Sequence, residues 1–179
     1  FPMSRLTTMD PHEATGLVAE TFASIKRAAG MIPNTYLTIG THSPEGLHAV
    51  LKLDEVVAQS EISDADLEII RLVVSVWSGC RYGIAVHSLK AKFSGLSYDA
   101  IVRIRGGRST EDPRRDALIE FVRNIVSSTG TLSSLDVQSI VEAGYSESQI
   151  IGISLTIAAT MFINTVNRIN DTVLDYPEI

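Results

Sequence analysis

Between Leu67 and Trp77 the only polar side chains are Glu68, Arg71 and Ser75. A helix that is apolar on nearly every side has to be enclosed by other elements. That one segment sets the plan of the chain: it is an interior helix, and everything else must be arranged around it. Ser63 stands in N-cap position before it, with Asp64 and Asp66 where the helix dipole favours acids. Ser78-Gly79 breaks it, and a second helix opens at Cys80, passes His87 and stops at Gly95. The stretch 63–93 thus reads as a central antiparallel pair of helices joined by a short hinge.

The remaining punctuation is helical too. Asp10-Pro11-His12-Glu13 reads as a capping box with Pro at the first helical position. Gly30 stops the helix that follows, whose inward stripe is Val18, Phe22, Ile25 and Ala29. Pro33-Asn34 turns the chain into a short apolar piece, 35–39, and Ser43-Pro44-Glu45 opens a helix with Val50, Leu53 and Val57 buried. Beyond the central pair, a short helix from Ser97 to Ile104 breaks at Gly106-Gly107. A helix from about Pro113 to Ser127 follows, and then one from Ser134 with Val137, Ile140 and Val141 inward, closed by Gly144. Ser146 caps a long last helix running to roughly Val173. No stretch alternates with period two. The expectation is an all-α bundle forming a single domain over 1–179, without linker, low-complexity segment or internal repeat.

Charge and cysteine usage exclude several function classes. The chain has 179 residues with a net charge of −6, which argues against nucleic acid or an anionic membrane as partner, since both need clustered Lys and Arg. Arg103, Arg105 and Arg108 form the one basic knot, and Glu111 and Asp112 follow it, as at a solvated helix end. A single cysteine excludes an internal disulfide and a multi-thiolate metal site within one chain, so neither metal nor cofactor is expected. A reducing, cytoplasmic setting follows as the expectation, and no secretion-signal pattern is present. The uncharged run 150–163 is too short to span a bilayer and reads as a core helix.

The central pair carries the chemistry. Enclosure desolvates Glu68 and raises its pKa above the usual value of about 4.3 unless a partner holds the charge. The plainer alternative is an i,i+3 ion pair with Arg71 at a subunit surface. With about 1.5 Å rise per residue, folding the second helix back on the first brings Glu68 roughly level with residue 89 and within about one turn of His87. A carboxylate facing an imidazole inside a helical pair forms a proton relay, the acid fixing the ring's tautomer. His12, His42 and His48 read as capping or surface residues. Cys80, near a helix N-terminus, is either a thiol biased toward thiolate or an inert buried one. It lies about 10 Å along the axis from His87. One turn from His87, where a histidine-activated thiol belongs, stands Gly83. Tyr82 is a neighbouring hydrogen-bond donor, and Trp77 is either pocket wall or core. On the last helix, Asn164, Asn167, Arg168 and Asp171 make either a wet face, with Asp171 paired to Arg168 or Asn167, or a pocket lining at Asn164.

With Glu68, Cys80 and His87 in view, the chain resembles the carboxymuconolactone decarboxylase/alkylhydroperoxidase D (AhpD-like) superfamily, and within it the peroxidase-related group. The signature of that superfamily is a Glu, then about a dozen residues on a C-x-x-C, with a His four residues past the second Cys. Leu67-Glu68-Ile69-Ile70, Ser78-Gly79-Cys80 and Ala85-Val86-His87 carry the likeness. It extends through Ile32-Pro33-Asn34, His42-Ser43-Pro44, Phe162-Ile163-Asn164 and Asn167-Arg168. The resemblance implies an AhpD-like helical bundle assembling as a homo-oligomer (dimer, trimer or hexamer). It also implies catalytic Glu68, Cys80 and His87 beside a pocket with Tyr82, Gly83, Trp77 and Asn164.

Gly83 stands in place of the second cysteine, so Cys80 has no partner for the family's disulfide. Three readings follow. The first is a peroxidase-related, antioxidant oxidoreductase acting on peroxides with a single thiol, rescued by an external thiol or lipoyl-type reductant. The second is a non-redox acid-base enzyme of the decarboxylase kind acting on a small organic acid through Glu68 and His87. The third is an inactive oligomeric binding protein. In all of them the missing side chain at Gly83 is expected to leave room for a ligand.

Overall fold

A computed structural model gives the structure of residues 4–179. Among these residues there is no strand. After a 3-10 turn at Pro11–Glu13 the helices are α1 (Gly16–Ala29), α2 (Asn34–His42), α3 (Pro44–Ala58), α4 (Asp64–Trp77), α5 (Arg81–Phe93), α6 (Tyr98–Arg105), α7 (Pro113–Ser127), α8 (Ser134–Glu142) and α9 (Glu147–Asn170).

The apolar segment does become the enclosed helix. α4 touches α5, α6, α7 and α9, and Ile69, Ile70, Leu72 and Val74 along it are wholly buried. Around it α6, α7, α8 and α9 contribute to the larger core, with Ile101, Leu118, Ile140 and Ile153 respectively. A smaller core joins α1, α2 and α3 through Val18, Phe22, Ile39, Leu47 and Val50. α9 lies against both cores, with Ile153 and Ile157 in the first and Ala159 and Ile163 in the second. At 24 residues α9 is long and apolar enough to cross a bilayer by length and composition alone. Its Thr156, Thr160, Asn164, Asn167 and Asn170 are nevertheless buried in this structure.

The hinge is built as the sequence suggests. Gly79 takes φ +64°, Cys80 N donates to Ser75 O at 3.0 Å, and Gly79 N donates to Val76 O at 3.1 Å. Those two bonds are a Schellman closure of α4, which needs a left-handed residue where glycine stands. Cys80 is at once the last residue of that closure and the N-cap of α5, its Sγ accepting from Gly83 N at 3.3 Å.

Four local expectations are corrected. α1 does not start at the Asp10 box: Asp10 caps only the 3-10 turn, the chain straightens at Ala14 and α1 begins after Thr15. Ala29 is exposed at its end. On α8 only Ile140 is buried, because α8 packs chiefly on α7 and Val137 and Val141 stay exposed. α9 ends at Asn170 rather than near Val173, because Asp171 is left-handed (φ 49°) and its side chain reaches Arg5 instead of Arg168 or Asn167.

Candidate active site

Antiparallel packing of α4 and α5 brings the acid and the imidazole together. Glu68 Oε2 lies 2.8 Å from His87 Nδ1. The other carboxylate oxygen, Oε1, accepts from Arg71 Nη1 at 2.6 Å, and Arg71 Nη2 donates to Asp54 Oδ1 at 3.2 Å. The two sequence alternatives for Glu68 are therefore both realised, one oxygen on Arg71 and one on His87, and the ion pair lies in the interior.

Charge is held where the sequence left it open. Burial pushes the Glu68 carboxyl up, but His87 and Arg71 together outweigh it and hold the pKa at about 2. Burial lowers the His87 pKa, with help from Lys90 and Arg71, against the pull of Glu68. At neutral pH the pair is thus a carboxylate and a neutral ring. Nδ1–H donates to Glu68, so the lone pair sits on Nε2.

His87 lines a cavity of about 260 Å³ between α2, α3, α4, α5, α9 and the C-terminal segment. Pro33, Val86, Ile163 and Tyr176 make much of its wall apolar, while Lys90 and Asp54 bring charge to it. Tyr82 and Gly83 also line this cavity. The Tyr82 hydroxyl is committed elsewhere: it donates to Asp175 Oδ1 at 2.7 Å, and burial together with that carboxylate holds the phenol far above its usual range.

Three candidates stand apart from the cavity wall. Trp77, the last residue of α4, is half-exposed in a second surface cleft beside Arg105 and Arg123. Asn164 is buried, its Nδ2 donating to Ser75 Oγ and Ser78 Oγ, both at 3.1 Å. On α9 the cavity is lined by Thr160, Ile163 and Asn167. Cys80 is 2% exposed and packs with Tyr82 and Val86 under Leu174 and Tyr176. Burial pushes its thiol up despite the amides of Gly83 and Tyr82, and Asn167 lies near it without a well-formed hydrogen bond.

Gly83 does not open space for a ligand. A Cβ there would stand 2.5 Å from Asn164 Oδ1, 2.5 Å from Ser75 Oγ and 3.0 Å from Ser75 Cβ. The direction a cysteine side chain would take is filled by an amide and a hydroxyl.

Sequence reasoning missed Asp54, Tyr36, Tyr176 and Asp175. A signal existed for Asp54, which falls on the inward stripe of α3 between Val50 and Val57. None existed for Asp175. Its carboxylate accepts from Asn34 N at 2.6 Å and caps α2, whose own N-cap residue, Pro33, has no side chain to do so. Among the described residues no group of three or more His, Cys, Asp or Glu is arranged to hold a metal ion.

No protein-family model and no curated protein sequence matches the chain. Solved structures do. An uncharacterised peroxidase-related protein with an AhpD core from Ralstonia eutropha is 16% identical, with a TM-score of 0.88 over 98% of this chain and 94% of its own. A peroxidase-related protein from Silicibacter is 17% identical, with a TM-score of 0.81 over 97% and 94%. The debrominase Bmp8 bound to 2,3,4-tribromopyrrole is 20% identical, with a TM-score of 0.77 over 96% and 91%. The chain has the AhpD-like helical fold, as its sequence resemblance implies.

Proposed function

We propose that this protein is a proton-transfer enzyme of AhpD-like fold, acting on a small organic molecule held against His87. The observation that carries the reading is the His87 ring, fixed by Glu68 through Nδ1 and lining a cavity of about 260 Å³. A neutral imidazole with a free Nε2 takes a proton from a bound carbon or oxygen acid and returns it at another position. Glu68 stabilises the imidazolium formed in between, and Arg71 and Asp54 keep Glu68 in place. A panel of small lactones and carboxylic acids, screened for binding and turnover, tests this. His87→Gln should retain binding and lower turnover by roughly 10²–10⁴-fold. A turnover unaffected by that substitution contradicts it.

One observation favours a second reading, a single-thiol oxidoreductase. The amides of Gly83 and Tyr82 are directed at Cys80 Sγ, an arrangement that supports a sulfur anion. In that chemistry the thiolate attacks the outer oxygen of a hydroperoxide. The O–O bond breaks, an alcohol leaves after protonation, and the sulfenic acid is reduced by two electrons from an external thiol or lipoyl-type reductant. Peroxide consumption abolished by Cys80→Ser would establish it. Self-association belongs to either reading: Leu135 on α8 and Ile151, Phe162 and Ile169 on α9 are exposed apolar residues, and sedimentation tests whether copies cover them.

A further inference from the structure

Most polar groups around the cavity are committed to other parts of the protein. The Tyr82 hydroxyl is bonded to Asp175, the Thr160 hydroxyl to Thr156 O at 2.7 Å, and Arg71 to Glu68 and Asp54. Thr35 Oγ1 and both amide atoms of Asn167 are unpaired, but they are sealed where no ligand can reach them. Tyr36 is of another kind. It lines the cavity from α2, its Oη makes no hydrogen bond among the described residues, and that oxygen is not one of the sealed atoms. His87 Nε2, on α5, is likewise unpaired and unsealed.

Tyr36 and His87 also share their surroundings. Glu68 and Arg71 act electrostatically on both rings. Tyr176, whose phenol is also unbonded among the described residues, lies instead under the influence of Asp175 in the C-terminal segment. Burial and the Asp54 carboxylate hold the Tyr36 phenol far above its usual range, so it stays protonated and presents an O–H donor.

We propose that Tyr36 is a second catalytic residue, donating to the substrate's oxygen while His87 works on the carbon beside it, and that the substrate is a small carbonyl compound with an acidic α-hydrogen. This rests on the reading of His87 as the proton-transfer base. A neutral imidazole is a weak base for a C–H bond, and the step becomes accessible only where the charge that develops on oxygen is stabilised. His87 Nε2 takes the α-proton; the C–H bond breaks and its electron pair moves through the carbonyl onto oxygen. The enolate oxygen then accepts from Tyr36 Oη–H. The imidazolium returns its proton to carbon, at the same position or at a conjugated one, so the net change is exchange or isomerisation and no oxidant or reductant is used. Val86 and Ile163 give the cavity walls suited to a hydrocarbon or aromatic body. At about 30 Å³ per water-sized group, the volume of about 260 Å³ takes roughly nine non-hydrogen atoms.

The test incubates the whole protein with cyclopentanone, cyclohexanone and acetophenone in heavy water and follows loss of the α-hydrogens by proton NMR. Wild type should exchange at least one of them above the buffer rate, and His87→Gln should abolish the excess. Tyr36→Phe should lower kcat for exchange by roughly 10²–10³-fold and leave KM little changed. 4-Nitrophenol, whose anion copies an enolate oxygen on a flat ring, should bind wild type as the yellow phenolate. Tyr36→Phe should bind it at least about tenfold more weakly. Site-specific replacement of Tyr36 by 3-fluorotyrosine, a stronger acid of nearly the same size, should raise the exchange rate, and it keeps the test available where the Phe variant does not fold. Exchange that needs His87 but is indifferent to both Tyr36 replacements overturns the inference and leaves the His87 reading standing. So does a loss confined to Tyr176→Phe, or a raised KM with kcat unchanged in Tyr36→Phe. Absence of exchange with every ketone also overturns the inference. The cavity reading then survives if 4-nitrophenol shifts the His87 ring signals, and falls if it does not bind.

Discussion

A Cβ on Gly83 would stand 2.5 Å from Asn164 Oδ1, closer than side-chain carbons approach an oxygen. The missing second cysteine is therefore matched by its surroundings: Ser75 and Asn164 occupy its place and bond to one another. Gly83→Cys should destabilise the protein by about 1–3 kcal/mol through overpacking and form no efficient disulfide with Cys80. Pairing it with Ser75→Ala should recover part of that loss, since Oγ is removed while Cβ remains. Urea unfolding of both variants, with thiol counting, measures this.

Glu68→Gln removes the charge that faces both Arg71 and His87. Breaking a buried pair leaves Arg71 dependent on Asp54 alone, and a loss of about 3 kcal/mol is expected. Turnover should fall with it, because the ring loses the acceptor that fixes Nδ1–H. A circular-dichroism melt and one rate measurement on the same sample check both parts.

Much of this was legible in the sequence, and the reason is periodicity. The enclosure of α4, the hinge at Gly79 and the Glu68–His87 contact all follow from helical geometry over some twenty residues of local sequence. What escaped depends on contacts far apart in the chain. Asp175 lies 141 residues from the α2 amide that it caps, and no local pattern announces such a bond. Asn164 and Asn167 share one face of α9, so spacing could not say which reaches the cavity. Trp77 failed for a related reason: being last in its helix, it escapes the enclosure that covers its neighbours.

The pH dependence of stability follows from two depressed pKa values. His87 titrates below its ordinary 6.5 in the folded chain, so the unfolded chain takes up the proton first and stability falls as pH drops through 6.5. Glu68 is held at about 2 against an ordinary 4.5, so its contribution is complete above 4.5 and is lost between there and 2. The second loss is on the order of 3 kcal/mol. Below neutrality the urea midpoints should decline in two stages, the first absent in His87→Gln and the second reduced in Glu68→Gln.

Asp175 ties the C-terminal segment to Tyr82 and to the start of α2. Asp175→Ala should lower stability by about 1 kcal/mol as a lost helix cap. It should also speed alkylation of Cys80, because Leu174 and Tyr176 cover the sulfur from that segment. A thiol-reagent rate that does not change would show that the covering is independent of the tie.

Glu68 presents His87 as a neutral base, and nitrogen-15 NMR of the imidazole across pH reads that state. An Nδ1–H tautomer with a bare Nε2 is expected at neutral pH, with protonation only below 6.5. In Glu68→Gln the tautomer preference should weaken. An imidazolium at neutral pH, or a proton resident on Nε2, would contradict it.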